Sequence, residues 1–463
     1  MQQISIKKYI DQNAPSSQDF YQLIHSYQLE FGVILLRDYK QLLEIYENIE
    51  LSSLENFKIH TNYLIHYTWT KLHTNHWKNV HLCWRKLYSS LKLLLVLYSL
   101  HKIDPQSENI DEHSDHYSSM LKELIKELDL SLIMGYPIFD CFASKLASKL
   151  HSIVMTKSSS SSSIRSNEVD LSISFQLEHD HDHDVDQFID VNIKANLNKL
   201  DRIDCPSIEA FNNLMKLNKP FIIMNAINFW PAYNNNQLNT EHHWTLNYWR
   251  TNFGHRLVPV EIGSKYTEEN WGQKLMTINQ FIDKYFQSTT TVDKTVMKGY
   301  LAQYEIFSQI PELENDIHIP DYCSVTGDLL STDNLNQIET NLWFGPKNTI
   351  SPLHHDSDRA NLLTQIQGFK YVCLYPASET NCLYAYNENI MLNNTSRIDL
   401  DNVDLKKFPK FQNAHGYYGL LSPGEMLYIP PRCWHYVRSL SASFSVNFWW
   451  NVSASLITSW GSD

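Results

Sequence analysis

Residues 341–376 read NLWFGPKNTISPLHHDSDRANLLTQIQGFKYVCLYP. Inside this stretch NLLTQIQGFKYVCLYP is rich in β-branched and aromatic side chains, with a turn glycine, Gly368, just before Lys370. It reads as strand. Working outward, FIIMNA (221–226), RLVPVEIGS (256–264), VMKGYLAQY (296–304), TNLWFGP (340–346), GEMLYIPP (424–431), CWHYVRSL (433–440) and ASFSVNFWW (442–450) share that character and are bounded by Gly, Pro, Asn or Ser. Only HWTLNYWRTNF (243–253) and TINQFIDKYF (277–286) look helical in this half. Many short strands with a few helices predict a double-sheet jelly roll or barrel.

Upstream, from about residue 18 to 155, the apolar period is helical. In MLKELIKELDLSLIMG, Leu121, Leu124, Ile125 and Leu128 fall on one helix face, which Gly135 and Pro137 close. FGVILLRDYKQLLEIYENI and NVHLCWRKLYSSLKLLLVLYSL read the same way. Between the halves, TKSSSSSSSIRSNEVD and LEHDHDHDVD have little to bury, which predicts a disordered linker. The alternating His and Asp of this tract could chelate metal loosely, but histidines on a flexible tract lose too much entropy on chelation, and a solvated spacer is the favoured reading. The expected organisation is a helical domain over 1–157, a linker over 158–195 and a β-rich domain over 196–463, an α+β chain overall.

At 463 residues the chain is long enough for two or three cores. A formal charge of −13 without a basic cluster argues against a surface that neutralises phosphates, on nucleic acid or on an anionic membrane. A protein or small-molecule partner fits better. The seven cysteines are odd in number and never spaced C-x-x-C, so neither a disulfide framework nor a cysteine zinc site is expected. The start, MQQISIKKYIDQN, lacks the apolar run of a secretory signal, and the apolar run Leu91–Leu100 is too short to cross a bilayer. An intracellular protein is expected.

The stretch SPLHHD carries chemistry. On a strand or strand end, His354 and Asp356 point to one face and His355 to the other. His435, in the apolar run after Pro430-Pro431, is the candidate third ligand. Two histidines and one carboxylate hold one face of an octahedral metal and leave three positions open, the arrangement of non-haem Fe(II) oxygenases. Lys370 is an isolated charge among residues expected to be buried, with no neighbouring carboxylate in sequence, and so it calls for an anion. Each has an ordinary alternative: a surface hydrogen-bonded pair, a core histidine, a snorkelling lysine. Together, in this order, the four favour a site.

The opening stretch, with LSPGEMLYIPPRCWHYVRSLSASFSVNFWW (421–450), resembles the catalytic domain of the Jumonji-C (JmjC) family, and more narrowly its arginyl-hydroxylase branch. The likeness continues through VPVEIGSKYTEENWGQKLMTINQFI (258–282) and GYLAQYEIFSQIPELENDIHIPDYC (299–323), and extends weakly into HWKNVHLCWRKLYSSLKLLL (76–95) and LSLIMGYPIFD (130–140). The resemblance implies a double-stranded β-helix, cupin-like domain and a 2-oxoglutarate-dependent dioxygenase. It implies that His354, Asp356 and His435 bind Fe(II), with O2 as the second co-substrate. Lys370, Tyr300 and Ser351 would hold the distal carboxylate of 2-oxoglutarate. Asn361 would contact its metal-proximal end, although the stretch before it, Ser357–Ala360, is one residue longer than the family's usual spacing. Trp343 would wall the pocket.

For substrate, the resemblance suggests an arginine of a protein or peptide, a histone or another arginine-containing protein. A guanidinium calls for a carboxylate and flat aromatic faces, which Glu261, Gln303 and Trp343 could help provide. Demethylation of N-methyl-lysine in a histone is the alternative on the same site. A third reading is an inactive scaffold whose helical domain binds a protein partner. The resemblance also implies a nuclear, chromatin-regulating protein, with the cytoplasm as a further location.

Overall fold

The computed structural model describes residues 6–50, 52–74, 79–103, 115–161, 175, 185–233, 241–263, 265, 267, 271–286, 298–327, 338–386 and 392–458. The first half is helical: α1 (Ile6–Asn13), α2 (Ser17–His25), α3 (Gln28–Glu47), α4 (Leu54–His73), α5 (Leu82–Lys102), α6 (Asp115–Leu130) and α7 (Phe142–Ser161). The bundle is organised around α5, whose residues Leu87–Leu100 are all buried. Its one interior lysine, Lys92, pairs with Glu127 of α6, which offsets part of the cost of burying a charge. Leu121, Leu124, Ile125 and Leu128 of α6 join this core, as their spacing predicts. No helix among the described residues is long and apolar enough to cross a membrane.

The second half opens with β1 (Leu197–Lys199), β2 (Asp201–Asp204), α8 (Ile208–Lys216) and β3 (Phe221–Met224). It continues with α9 (Leu246–Phe253), β4 (Leu257–Ile262), β5 (Gly272–Thr277), α10 (Ile278–Tyr285), β6 (Gly299–Tyr304) and α11 (Ile306–Gln309). Then come β7 (Glu339–Gly345), β8 (Ile350–His354), β9 (Arg359–Gln367), β10 (Lys370–Tyr375), β11 (Gly416–Leu421), β12 (Met426–Ile429), β13 (Trp434–Ser439), β14 (Ser443–Asn451) and α12 (Ala454–Thr458). The strands form two sheets, ordered β1-β11-β10-β13-β8 and β2-β3-β12-β9-β14-β7-β6-β4-β5. The expected double-sheet architecture is present, flanked by helices.

Period-2 alternation sorts each strand's side chains between layers. On β10, Val372 and Leu374 enter the core between the sheets, while Tyr371, Cys373 and Tyr375 face a second core under the β10–β11 connection. On β14, Phe444, Val446, Phe448 and Trp450 pack against the flanking helices. Gly368 turns the chain from β9 into β10 at φ +75°, and a Cβ there would lie 1.9 Å from the Ala442 carbonyl oxygen. Only glycine fits that turn. The extra helix α8, which the sequence reading passes over, starts at Ser207, whose hydroxyl accepts from the Ala210 N–H.

The predicted disorder of 158–195 needs correction where the structure describes it. Phe175 is buried and stacks on Phe444, and the Ser441 hydroxyl donates to its carbonyl. Val185, Ile189 and Ile193 pack into the core below the β10–β11 connection. Isolated apolar residues in a polar tract are enough to dock it. The His/Asp alternation itself lies outside the described residues.

The two halves share a buried junction. Asp129 of α6 accepts from Arg256 (Nε 3.0 Å, Nη2 2.8 Å), from Gln309 Nε2 (2.7 Å) and from the Leu257 N–H (2.7 Å). Neither member of the ion pair is more than 1% exposed.

Candidate active site

Strands β8 and β13 lie side by side in the smaller sheet, with His354 opposite His435. A register shift between His435 and Val437 opens the pairing there. The rings sit 4.3 Å apart between centroids. His354 Nδ1 lies 2.7 Å from the Pro352 carbonyl and His435 Nδ1 3.0 Å from that of Cys433, in each case the residue two before. An N–H donated to each carbonyl puts the lone pair on Nε2, the nitrogen a metal would bind.

Asp356 follows β8 in the turn rather than on the strand itself. Its Oδ1 is 3.8 Å from His354 Nε2 and its Oδ2 3.6 Å from His435 Nε2. Among the described residues these three form the one group of His, Cys, Asp and Glu side chains able to share a metal, with ligand atoms within 4.8 Å of one another. Burial is the largest influence on the Asp356 carboxyl and pushes its pKa up. His435, His354 and the hydrogen bonds from Asn361 and Trp449 together outweigh it and hold the group below the usual range. Burial, and then His354, bring His435 down to about 4, so its ring is neutral at pH 7, as a ligand must be. His355 turns away from the other two, its ring edge-on to Trp434 at 4.7 Å and its Nδ1 accepting from the Ser357 N–H.

The three side chains help line a cavity between the sheets. Lys370, 1% exposed, lines it too, with Nζ 3.4 Å from the Tyr300 hydroxyl. Burial alone pushes its pKa down to about 7. The Tyr300 hydroxyl also interacts with Thr349 and Ser351, and burial, then the Glu261 charge, push its pKa up. Trp343 forms a wall, its ring 5.9 Å from Tyr300 and its Nε1 donating to Asn447 at 2.8 Å.

Residues 207–455 match the family model described as a cupin-like domain. The chain is 39% identical over 392 residues to "Lysine-specific demethylase 8" of Danio rerio, covering 84% of this chain and 86% of that protein. It is 38% identical over 416 residues to "JmjC domain-containing protein D" of Dictyostelium discoideum, covering 87% and 88%. Over 253 residues it is 38% identical to "Jumonji C domain-containing protein 5" of Drosophila melanogaster, covering 54% and 59%. The chain belongs to the cupin-like JmjC family. That family is one of Fe(II)- and 2-oxoglutarate-dependent oxygenases.

In this JmjC domain the cavity brings together His354, Asp356, His435, Lys370, Tyr300, Ser351, Asn361 and Trp343. The Asn361 amide donates to Asp356 Oδ2 at 2.8 Å, and its oxygen accepts from Asn447 at 3.2 Å, so one amide hydrogen is left for the cavity. Glu261 does not line that cavity. It borders a neighbouring one with Lys265, Trp271 and Thr349, joined to the first through Tyr300, its partner across β4 and β6. Trp271 donates to Glu261 at 3.2 Å, and burial pushes the carboxyl up to about 7. Gln303 is not brought to either cavity: it is exposed, at φ +47°, where the register shifts between β6 and β7. That irregularity cannot be read from a strand-like run.

The sequence reading missed Asn447 and Trp449. They share a face of β14, both line the cavity, and Trp449 Nε1 donates to Asp356 Oδ2 at 3.0 Å. A lone asparagine inside the apolar run SVNFWW is the signal that could have found them.

Proposed function

We propose that this chain is a 2-oxoglutarate-dependent hydroxylase of arginine side chains in proteins, with His354, Asp356 and His435 as the Fe(II) ligands. The observation that carries the co-substrate is Lys370, a buried lysine without an ion pair among the described residues, in the same cavity as the triad. A dicarboxylate reaching from the metal end would meet Lys370, Tyr300 and Ser351. The donor set fits divalent iron: two imidazoles and one carboxylate converge where they line the cavity. When bound, iron and 2-oxoglutarate supply the oxidation, in which O2 is consumed, the co-substrate becomes succinate and CO2, and one oxygen atom enters a substrate C–H bond.

The chain's own residues hold and shield. The backbone carbonyls of Pro352 and Cys433 fix the imidazole orientation. Trp343, Leu363, Ile429 and Val437 give the cavity apolar walls, which keep water from the reacting atoms. Glu261, half-buried and with no ion pair among the described residues, lies beside the cavity with the Trp271 indole. A carboxylate and a flat aromatic face suit a guanidinium.

The demethylase reading is favoured by the name of the Danio rerio relative, lysine-specific demethylase 8. Product analysis separates the two. With iron and 2-oxoglutarate, an unmethylated arginine peptide should gain one oxygen on a side-chain carbon, with succinate formed in step and no formaldehyde. Formaldehyde from methyl-lysine peptides, with no oxygen gained on any arginine peptide, would move the assignment to demethylation.

A further inference from the structure

A carboxylate offers about two lone-pair sites on each oxygen. Asp356 Oδ2 accepts from Asn361 Nδ2 at 2.8 Å and from Trp449 Nε1 at 3.0 Å, which takes up both of its sites. Oδ1 is the oxygen left for a metal. The two donors are direct cross-strand partners on β9 and β14, so they are set as a pair by the larger sheet and aimed at a carboxylate of the smaller one. Trp449 is 4% exposed.

The indole is itself backed. The Arg359 guanidinium lies over its ring, 4.5 Å from the centroid, and Arg359 pairs with Glu339 at 2.5 Å. Glu339 is the cross-strand partner of Trp449 on β7. A cation over the ring draws on its electron density and makes the N–H a stronger donor.

We infer that Trp449, backed by Arg359, is a positioning residue that restricts Asp356 to single-oxygen ligation through Oδ1. A carboxylate binding through both oxygens would fill one more coordination position, and a two-histidine, one-carboxylate centre needs three positions open. The inference rests on the iron reading proposed above.

The test uses the full chain and Co(II) alone, whose visible bands report coordination number without turnover. Trp449→Phe keeps a ring and removes the N–H; Arg359→Met removes the cation from a partly exposed position. Trp449→Phe should alter the Co(II) band intensity and weaken Co(II) binding about 10-fold, the usual size of such outer-partner effects. Arg359→Met should shift both in the same direction by less. Unchanged spectra and affinities in both variants, with wild-type circular dichroism, would overturn the inference and leave the iron reading standing. If Trp449→Phe fails to fold, Arg359→Met decides alone. A wild-type chain that binds neither Co(II) nor Fe(II) would instead overturn the iron reading, and this inference with it.

Discussion

Lys370, buried, and Glu261, half-buried, are opposite charges that both neighbour Tyr300, and each is shifted to about 7. They should respond to pH in opposite senses. Binding an anion requires Lys370 protonated, so as pH rises through about 7 the 2-oxoglutarate Kd should increase, with proton uptake detectable by calorimetry in buffers of different ionisation enthalpy. Binding a guanidinium requires Glu261 ionised, so the arginine-peptide KM should fall over the same range. Lys370→Ala removes charge-assisted hydrogen bonds worth about 1.5–3 kcal/mol, and should raise the 2-oxoglutarate Kd about tenfold or more while sparing Co(II) affinity. His354→Ala, Asp356→Ala and His435→Ala should each abolish succinate formation without loss of fold, whereas His355→Ala should be mild. Equal damage from His355→Ala would contradict its placement against Trp434. The candidate metal ligands were legible because the H-x-D spacing and the distal histidine sit on or beside strands. Asn447 was not, because a single amide in an apolar run acquires meaning only from its neighbours across the sheet.

At the scale of elements, the hairpin of β4 and β5 carries Glu261 and ends near Trp271, and Lys265 ties it to the β10–β11 connection. Lys265 Nζ reaches Asp399 at 2.5 Å and Asp401 at 3.0 Å, with its side chain 14% exposed. Asp401 in turn accepts from Tyr436 and Arg438, on the face of β13 opposite His435. Lys265→Met should raise amide exchange across Gly272–Thr277. It should also weaken arginine-peptide binding on the order of fivefold, from a loss of about 1 kcal/mol, with the 2-oxoglutarate Kd unchanged. Equal exchange in both proteins would remove the tether from the account of the hairpin.

Across the whole molecule, the helical half and the sheets meet through buried charge. Asp129 joins Arg256, Gln309 and the β4 backbone, and Gln309 also accepts from Tyr304 of β6, the strand that bears Tyr300. Asp129→Ala would leave the Arg256 guanidinium buried without its carboxylate, at a cost of about 3–5 kcal/mol. Urea titration should show that loss, and the wild-type chain should unfold in one transition by helical and tryptophan signals alike. Two separate transitions would mean the junction does not couple the halves.

The sequence by itself determined the secondary-structure class of each half, the strands that bear the cavity, and the candidate triad with its lysine. Those depend on local period and on charges placed where only apolar residues belong, both of which are visible within a dozen residues. The tertiary structure decided what depends on distant partners: that Asp356 takes two donors from the far sheet, that Glu261 borders a second cavity while Gln303 is turned outward at a register shift, and that Asp129 closes on Arg256, 127 positions away. Such pairings are set by strand register and by the satisfaction of buried polar groups, and these exist only once the layers have packed.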